Sequence, residues 1–562
     1  MVSKWKNKLF GQEINPGEVF LEQRTKDSEY DGIKIETPIK LWVLNIFKGV
    51  VLMFLLILVG RLFYLQVFKY NFYHALAQEN YYKIVPILPQ RGDIISADNQ
   101  ILATYRQQKD KSIIRKYPQG EYFSHILGYL GGMTKAEKDK CSQCQSNEDI
   151  GKTGIEEEYQ NYLRGKTGKR IFEVNALGKT IREEYTIIPK KGDTIVLSIN
   201  AELQKRLFNE IKQQIKISHL KTKRAVAVAV NPQNGKILAS VSYPSFNNNL
   251  FLQKHIDQKQ YKKLWSDPNT PLLNRVIQGL YPPGSIIKPL IASAALQEGI
   301  VDQKTVLDCP PYLKIGRQLF RDWKSQGIIN IIQAIAESSD VFFYQIGGGY
   351  KKFEGLGIQK IDHYLKLFGL GQKTNIDLPS ENPGLVPSNK WKKSRIGYSW
   401  YIGDTYHLSI GQGYLLITPL QMAMALSAVA NGGILYQPQL IDKILNYDKI
   451  IKAFQPIIAR HNFIDPKNIN IAKEGMRQAV ISGTARQLND LPVTAGGKTG
   501  TAEVARGKPH SWFVGFAPYE NPQILLLVLV ENGGEGYQVA EPIADHVLKW
   551  WFERKLKIKN EK

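Results

Sequence analysis

The sequence predicts an α+β fold: an antiparallel sheet assembled from the two ends of one domain, with helices supplied by its middle. Two hairpin signatures and the segment between them carry this reading. Ala225 to Val230 (AVAVAV) and Lys236 to Ser242 (KILASVS) flank Asn231-Pro-Gln-Asn-Gly235, and Ser511 to Ala517 (SWFVGFA) and Gln523 to Val530 (QILLLVLV) flank Pro518-Tyr-Glu-Asn-Pro522. Between them, roughly Ile286 to Ala485, the pattern is mainly helical with Gly/Pro punctuation.

The remaining elements follow in order. Ala201 to Ile215 has helical periodicity, Gly497 to Val504 reads as a further strand, and Ala540 to Lys555 closes the chain as an amphipathic helix. Residues 69–200 are mixed in character and read as a small α+β module, with a polar loop around Lys135 to Asp149. The expected organisation is an N-terminal segment 1–40, an apolar segment 41–68, the module 69–200 and a large domain 201–562.

Leu41 to Gly60 reads LWVLNIFKGVVLMFLLILVG. Twenty helical residues span about 30 Å, the thickness of a bilayer core. Asn45 and Lys48 interrupt the run; Lys48 can snorkel to one interface, and Phe63 and Tyr64 suit the other. A retained anchor with a cytoplasmic N-terminus is expected. A cleaved signal peptide fits less well, because its cleavage triplet, Ala75-Leu76-Ala77, lies too far beyond the run. A buried soluble helix is the third reading.

The 562 residues are 43% hydrophobic and 22% charged, a globular composition. A net charge of +23 invites an anionic partner, yet no zinc finger, RNA-reading signature or dense Arg/Lys helix is present. Nucleic acid is therefore not expected, and a basic solvated surface accounts for the charge. Cys141 and Cys144 form a C-x-x-C open to two readings, a local disulfide or two free thiols; Cys309 stands alone. No cofactor or metal is implied.

The chemistry lies in three short motifs. Tyr281-Pro-Pro-Gly284 stops the chain, and a helix is expected from Ser285 to Gly299, with Pro289 tolerated in its first turn. Lys288 then shares a face with Ser285. A serine hydroxyl needs an adjacent base, and a buried lysine can serve as one. Ser338-Ser-Asp340 follows the helical stretch Ile328 to Glu337, and Lys498-Thr-Gly500-Thr501 lies on a predicted strand. Each motif alone is weak, since S-x-x-K recurs at Ser3 and Ser218 and K-T-G at Lys152 and Lys166. Order and setting single out Ser285, Ser338 and Lys498.

In this order the motifs resemble the penicillin-binding proteins and serine β-lactamases. The resemblance covers most of the chain. Pro89-Gln-Arg-Gly-Asp-Ile94, Gly154-Ile-Glu-Glu-Glu-Tyr159 and Leu163-Arg-Gly165 are similar to the class B pedestal. Asn274-Arg275, Ser409-Ile-Gly-Gln-Gly413, Thr418-Pro-Leu-Gln421 and Asn431-Gly-Gly433 are similar to the transpeptidase domain. Ser338-Ser-Asp340, Phe342-Phe-Tyr344 and His510-Ser-Trp-Phe513 are most similar to the elongation type, penicillin-binding protein 2. The chain departs from the pattern at Ile286 and Ile287, where Thr-Phe is more usual, and at Ser96-Ala-Asp-Asn-Gln100. The short stretch between Arg91 and Tyr117 implies a reduced head.

The resemblance implies a membrane-anchored peptidoglycan D,D-transpeptidase with its catalytic domain outside the cytoplasm. Ser285 would attack the penultimate D-Ala carbonyl of a stem peptide, Lys288 would take its proton, and Ser338 would relay a proton to the leaving amine with Asp340 holding the site. Lys498, Thr499 and Thr501 would bind the terminal carboxylate along the strand through Gly500, and the N–H groups of Ser285 and Thr501 would form the oxyanion hole. Implied partners are peptidoglycan stem peptides, β-lactams, the membrane, a SEDS-family glycosyltransferase and other elongation-complex proteins. The competing readings are a division-type transpeptidase, a β-lactamase, and a non-catalytic β-lactam sensor or scaffold. Intact Ser285, Lys288 and Lys498 favour an enzyme.

Overall fold

The computed structural model describes residues 41–74, 82–107, 113–140, 144–145, 148–175, 179–252 and 258–560. Segment 1–40, the triplet Ala75-Leu76-Ala77 and Cys141 lie outside the described residues. Cys144 is disulfide-bonded, and Cys309 is a buried free thiol. The chain divides into two compact units, Met1–Lys83 with Glu173–Ile181, and Ile84–Phe172 with Arg182–Lys562.

In the first unit Leu41–Phe63 is one α-helix, continued by a wider turn over Tyr64–Phe68. Asn45 and Lys48 do not break it. It is apolar on every side and none of its residues is buried, so it is not the core helix of a soluble domain. The 28 residues Leu41–Phe68, with a mean hydropathy of 2.5, are long and apolar enough to cross a bilayer.

In the second unit the expected sheet is present. Asn200 caps helix α1 (Ala201–Ile217), its side chain accepting from the Leu203 N–H. Strands β1 (Ala225–Val230) and β2 (Ile237–Tyr243) form the first hairpin. Helices α2 (Lys288–Gln297), α3 (Ile331–Ala336), α4 (Asp340–Gly348), α5 (Pro419–Ala430) and α6 (Pro466–Ile481) come from the middle. Strands β3 (Gly496–Ala502), β4 (His510–Ala517) and β5 (Ile524–Val530) and helix α7 (Gly536–Asn560) complete the domain. Among the described residues the sheet is five-stranded and antiparallel, in the order β2-β1-β5-β4-β3. The first and last strands of this sheet along the chain thus pair at its centre, β1 against β5.

Side-chain alternation explains why these strands are apolar throughout. Val226, Val228 and Val230 of β1 and Leu525, Leu527 and Leu529 of β5 pack with α2 and α5. Ala225, Ala227 and Ala229, with Leu526 and Val528, face α1 and α7. Both sheet faces are buried, and the edge strand β3 carries the K-T-G motif.

The middle contains more strand than its pattern suggests. Val306–Cys309 pairs with Gly327–Asn330, and Tyr312–Ile315 with Gln318–Arg321. Such short runs carry too few periods to be told from helix, and long-range pairing decides them. The helix expected from Ile328 begins instead at Ile331, because Asn330 and Gln333 form a capping box there. Ile441–Asn446 and Lys449–Ala453 leave the helical region altogether. They extend a six-stranded sheet through Thr194–Leu197, Ile94–Ile95, Ile101–Gln107 and Ile113–Lys116, joining the pedestal to the catalytic domain.

The pedestal motifs converge on a buried ion cluster. Arg91 Nε and Arg115 Nε donate to the two Glu156 carboxylate oxygens at 3.0 and 2.8 Å, and the Tyr117 hydroxyl donates to Glu156 at 3.1 Å. Arg91 also donates to Gln160 Oε1 at 2.7 Å, and Arg115 to Gly92 O at 2.7 Å.

Candidate active site

The nucleophile motif is positioned by what precedes it. Tyr281 donates its hydroxyl to Glu531 at 2.9 Å, Arg275 pairs with the same carboxylate at 3.2 Å, and the Trp512 indole N–H donates to Pro282 O at 3.0 Å. Gly284 has φ +59°, and a Cβ there would lie 2.9 Å from Thr501 O. Only glycine both turns the chain and seats it against β3. Gly411 approaches Gly284 from the other side, its N–H-accepting carbonyl 2.9 Å from Gly284 N.

Ser285 lies on a 3₁₀ turn, Gly284–Ile287, and not on the α-helix expected to begin there. Pro289 gives the reason. An α-helix starting at Ser285 would need residue 289 to donate to Ser285 O, and proline has no N–H. Lys288 N donates to that carbonyl instead, closing a tighter turn, and α2 begins at Lys288. Side chains three apart eclipse on a 3₁₀ turn, so Lys288 still stands beside Ser285.

Lys288 is fully buried. Its Nζ donates to Asp340 Oδ1 at 2.6 Å and to Ser338 O at 2.7 Å, and lies 3.3 Å from Ser338 Oγ. Lys498, equally buried on β3, donates from Nζ to Ser338 Oγ and to Thr499 O, each at 2.8 Å. Ser338 therefore stands between the two lysines. Burial, and then Lys288, push the Lys498 ammonium well below its ordinary range. Burial raises the Asp340 carboxyl, with Lys288 opposing.

Ser338 reaches this place through an unusual backbone. Helix α3 ends in a Schellman motif: Ser339 N donates to Ala334 O at 3.0 Å and Ser338 N to Ile335 O at 3.3 Å. The residue that glycine usually fills is Ser338, at φ +57°. A left-handed non-glycine residue costs about 1–3 kcal/mol and persists where its surroundings hold it. Ser339 then caps α4, accepting from Phe342 N.

The rest of the K-T-G strand is fitted closely. A Cβ on Gly500 would meet Ile286 Cγ2 at 2.9 Å, so the nucleophile turn packs where a side chain would be. Thr499 Oγ1 hydrogen-bonds Thr484 Oγ1 at 2.8 Å, and Thr501 donates to Glu535 Oε2 at 2.7 Å. The geometry thus gathers Lys288, Ser338, Asp340 and Lys498 into one hydrogen-bonded cluster beside the Ser285 turn, with Thr499, Gly500 and Thr501 on the adjoining strand. Sequence reasoning missed Glu531, Thr484, Glu535 and the loop around Asp322. Their partners lie far away along the chain, and no local pattern marks them. Gly411 was within reach, inside the Ser409-Ile-Gly-Gln-Gly413 motif.

Comparison with known proteins agrees with this geometry. The Penicillin binding protein transpeptidase domain matches residues 225–549, and the Penicillin-binding Protein dimerisation domain matches residues 108–197. Peptidoglycan D,D-transpeptidase MrdA of Escherichia coli K12 is 34% identical over 465 residues, covering 77% of this chain and 71% of its own length. The Acinetobacter baumannii protein of the same name is 36% identical over 478 residues, 79% of this chain and 67% of its own. Among solved structures, Pseudomonas aeruginosa PBP2 in complex with WCK 5153 is 34% identical with a TM-score of 0.72, covering 84% of this chain and 96% of that one. Helicobacter pylori PBP2 in complex with MreC is 28% identical with a TM-score of 0.72, covering 84% and 99%. The chain belongs to the penicillin-binding protein transpeptidase family. Within it the chain falls with the elongation-type class B enzymes, the penicillin-binding protein 2 group, and its reaction is serine-type peptidoglycan D,D-transpeptidation.

Proposed function

We propose that Ser285 carries the acyl-enzyme and that the two buried lysines divide the proton work around Ser338. The supporting observation is the bridge made by Ser338 Oγ, 2.8 Å from Lys498 Nζ and 3.3 Å from Lys288 Nζ. In the resting site Lys288 faces the Ser338 carbonyl and the Asp340 carboxylate, acceptors that suit an ammonium, while burial favours the neutral amine on Lys498. A stem peptide brings its terminal carboxylate to Lys498, Thr499 and Thr501. That charge favours the ammonium on Lys498, so a proton passes from Lys288 through Ser338 Oγ and leaves Lys288 neutral. Lys288 then takes the Ser285 hydroxyl proton as Oγ attacks the penultimate D-Ala carbonyl. The oxyanion is met by the N–H groups of Ser285 and Thr501. When the C–N bond breaks, Ser338 hands a proton to the departing D-Ala amine and takes one from Lys288, which is neutral again. A second stem-peptide amine, or water, gives a proton to Lys288 as it attacks the ester, and Lys288 returns that proton to Ser285 Oγ as the ester bond breaks.

A β-lactam presents a carboxylate and an acyl carbonyl to the same groups and stays on Ser285. Intact-mass analysis after penicillin labelling tests the assignment: one adduct on the wild-type protein, located on Ser285, and none on Ser285→Ala. An adduct on another residue, or an undiminished one on Ser285→Ala, sinks it.

We infer further that Leu41–Phe68 anchors the chain in the plasma membrane with the catalytic domain outside, the side on which peptidoglycan lies. Residues 69–200 then form a pedestal with a reduced head. The Helicobacter relative's complex with MreC, and a 29% identical relative solved in a peptidoglycan synthase complex, support elongation-complex partners; a SEDS-family glycosyltransferase among them is what the family resemblance adds to this reading. Proteolysis of intact spheroplasts distinguishes the orientations, since a protected C-terminal domain overturns this one.

A further inference from the structure

The Ser338 turn is held from outside by a loop that the motifs do not include. Asp322 follows the short strand Gln318–Arg321 and is anchored by its own N–H, which donates to Pro311 O at 2.8 Å. Its Oδ2 accepts from Ser339 Oγ at 2.7 Å and from Val341 N at 3.0 Å. Its Oδ1 accepts from Trp323 N at 2.9 Å. The next two residues grip the other flank of Ser338: Trp323 Nε1 donates to Glu337 O at 3.1 Å, and Lys324 Nζ to Glu337 Oε2 at 2.8 Å.

These contacts bracket one strained residue. Glu337 precedes Ser338 and Ser339 follows it, and both are tied to the 322–324 loop. Asp322 also acts as a second cap on α4, since Ser339 takes the Phe342 N–H and Asp322 takes the Val341 N–H. Left alone, a serine in the left-handed region relaxes toward the right-handed one. Such a relaxation would swing the Ser338 carbonyl off Lys288 and its hydroxyl off Lys498.

We propose that Asp322 is a positioning residue for the acylation step, holding Ser338 in the left-handed conformation that aims its carbonyl and hydroxyl at the two lysines. The inference rests on the reading of Ser338 as the proton relay. It concerns geometry and not charge: an asparagine with its oxygen at the Oδ2 position accepts the same Ser339 and Val341 donors.

The test is acylation kinetics of the full-length protein with a fluorescent penicillin, separating the rate constant at saturation from the apparent dissociation constant. Asp322→Ala should acylate about 10- to 100-fold more slowly at saturation, with the dissociation constant changed less than about threefold, since a 1 Å misplacement of reacting groups costs about that much. Asp322→Asn should recover to within about threefold of wild type. Asp322→Ala acylating at the wild-type rate overturns the proposal, as does an Asn variant no faster than Ala. If Asp322→Ala does not fold, Ser339→Ala decides: it removes the hydroxyl Asp322 holds, so a slowed rate supports the proposal and a wild-type rate overturns it. Ser285→Ala, run in parallel, reports on the site itself. Undiminished labelling there condemns the whole site reading, whereas a silent Ser285→Ala beside an unaffected Asp322→Ala condemns this inference alone.

Discussion

The pedestal and the active site each bury a pair of cations around a carboxylate, and they use them in opposite ways. In the pedestal the cations are Arg91 and Arg115 and the carboxylate is Glu156. In the active site they are Lys288 and Lys498 with Asp340. Burial pushes the Glu156 carboxyl up, but Arg115 and Arg91 outweigh it and hold the group below its usual range. Burial also raises Asp340, and there Lys288 does not outweigh it. Guanidinium groups do not give up protons in proteins, so the arginine cluster is locked in a fully charged state. Lysine can lose its proton when desolvated, and Lys498 is driven that way. One arrangement is structural because its charges cannot change; the other is chemical because they can.

The largest expected effect breaks that contrast directly. Lys288→Arg keeps a buried cation for Asp340 but offers no amine to accept a proton. Penicillin acylation should fall by at least about 1,000-fold, in the range seen for loss of a catalytic group. Arg91→Lys, the mirror exchange in the pedestal, should leave the acylation rate within about twofold. Acylation by Lys288→Arg at a tenth of the wild-type rate or better would falsify the base assignment.

Next in size is Glu156→Gln, which leaves two buried guanidinium groups without their counter-charge. Breaking a buried pair in this way costs about 3–5 kcal/mol. Thermal unfolding should show the loss at neutral pH, while the folded fraction acylates normally. Because the Glu156 pKa is depressed in the fold, its stabilisation is present above the unfolded carboxylate range and disappears as pH falls below it. The deficit of the variant should therefore shrink in acid. A deficit that stays constant down to pH 3 would mean that Glu156 acts by shape and not by charge.

Lys498→Met should move activity and stability in opposite directions. Loss of the carboxylate-binding cation should slow penicillin acylation by about 100-fold. Stability should rise by about 1 kcal/mol, because a buried amine gives way to an apolar isostere. With the folded lysine pKa lowered, the unfolded chain holds a proton that the folded one lacks over the window below 10.5, so wild-type stability rises with pH there. The Met variant's advantage should be greater at pH 6 than at pH 9, and the reverse order in thermal scans would contradict the assignment.

How far the sequence reveals such a site depends on how local its causes are. The sheet was legible because short apolar runs joined by Asn-Pro-Gln-Asn-Gly and Pro-bounded turns specify hairpins within a dozen residues or so. The motifs around Ser285, Ser338 and Lys498 were legible as an ordered set. The 3₁₀ turn was legible in principle, since Pro289 forbids the α-helical bond to Ser285. What the sequence hid are contacts between distant segments: Asp322 on Ser339, Glu531 joining Arg275 to Tyr281, and the Ile441–Ala453 hairpin on the pedestal sheet. The middle strands were hidden for a different reason, because four residues hold too few periods to be read.

The smallest expected effect concerns a second buried carboxyl, Glu541 on α7, behind the K-T-G strand. Burial pushes it up to about 8 from 4.5, with Asp545 adding to the rise and the Gln487 N–H, 3.1 Å from Oε1, opposing it. It is the opposite of Glu156, a carboxyl without a guanidinium to hold it charged. The sign of the linkage is accordingly reversed. Between about pH 4.5 and 8 the folded chain keeps a proton that the unfolded chain releases, so stability falls across that window and levels off above it. Glutamine resembles the protonated form and has no proton to lose. Glu541→Gln should match wild type near pH 4.5, gain about 1–2 kcal/mol by pH 7, and hold a constant advantage above pH 8. Thermal melts of both proteins across that range, in buffers of matched ionic strength, give the difference directly. A difference that does not grow with pH would show that Glu541 is charged in the fold, and that the active-site strand is backed by an anion after all.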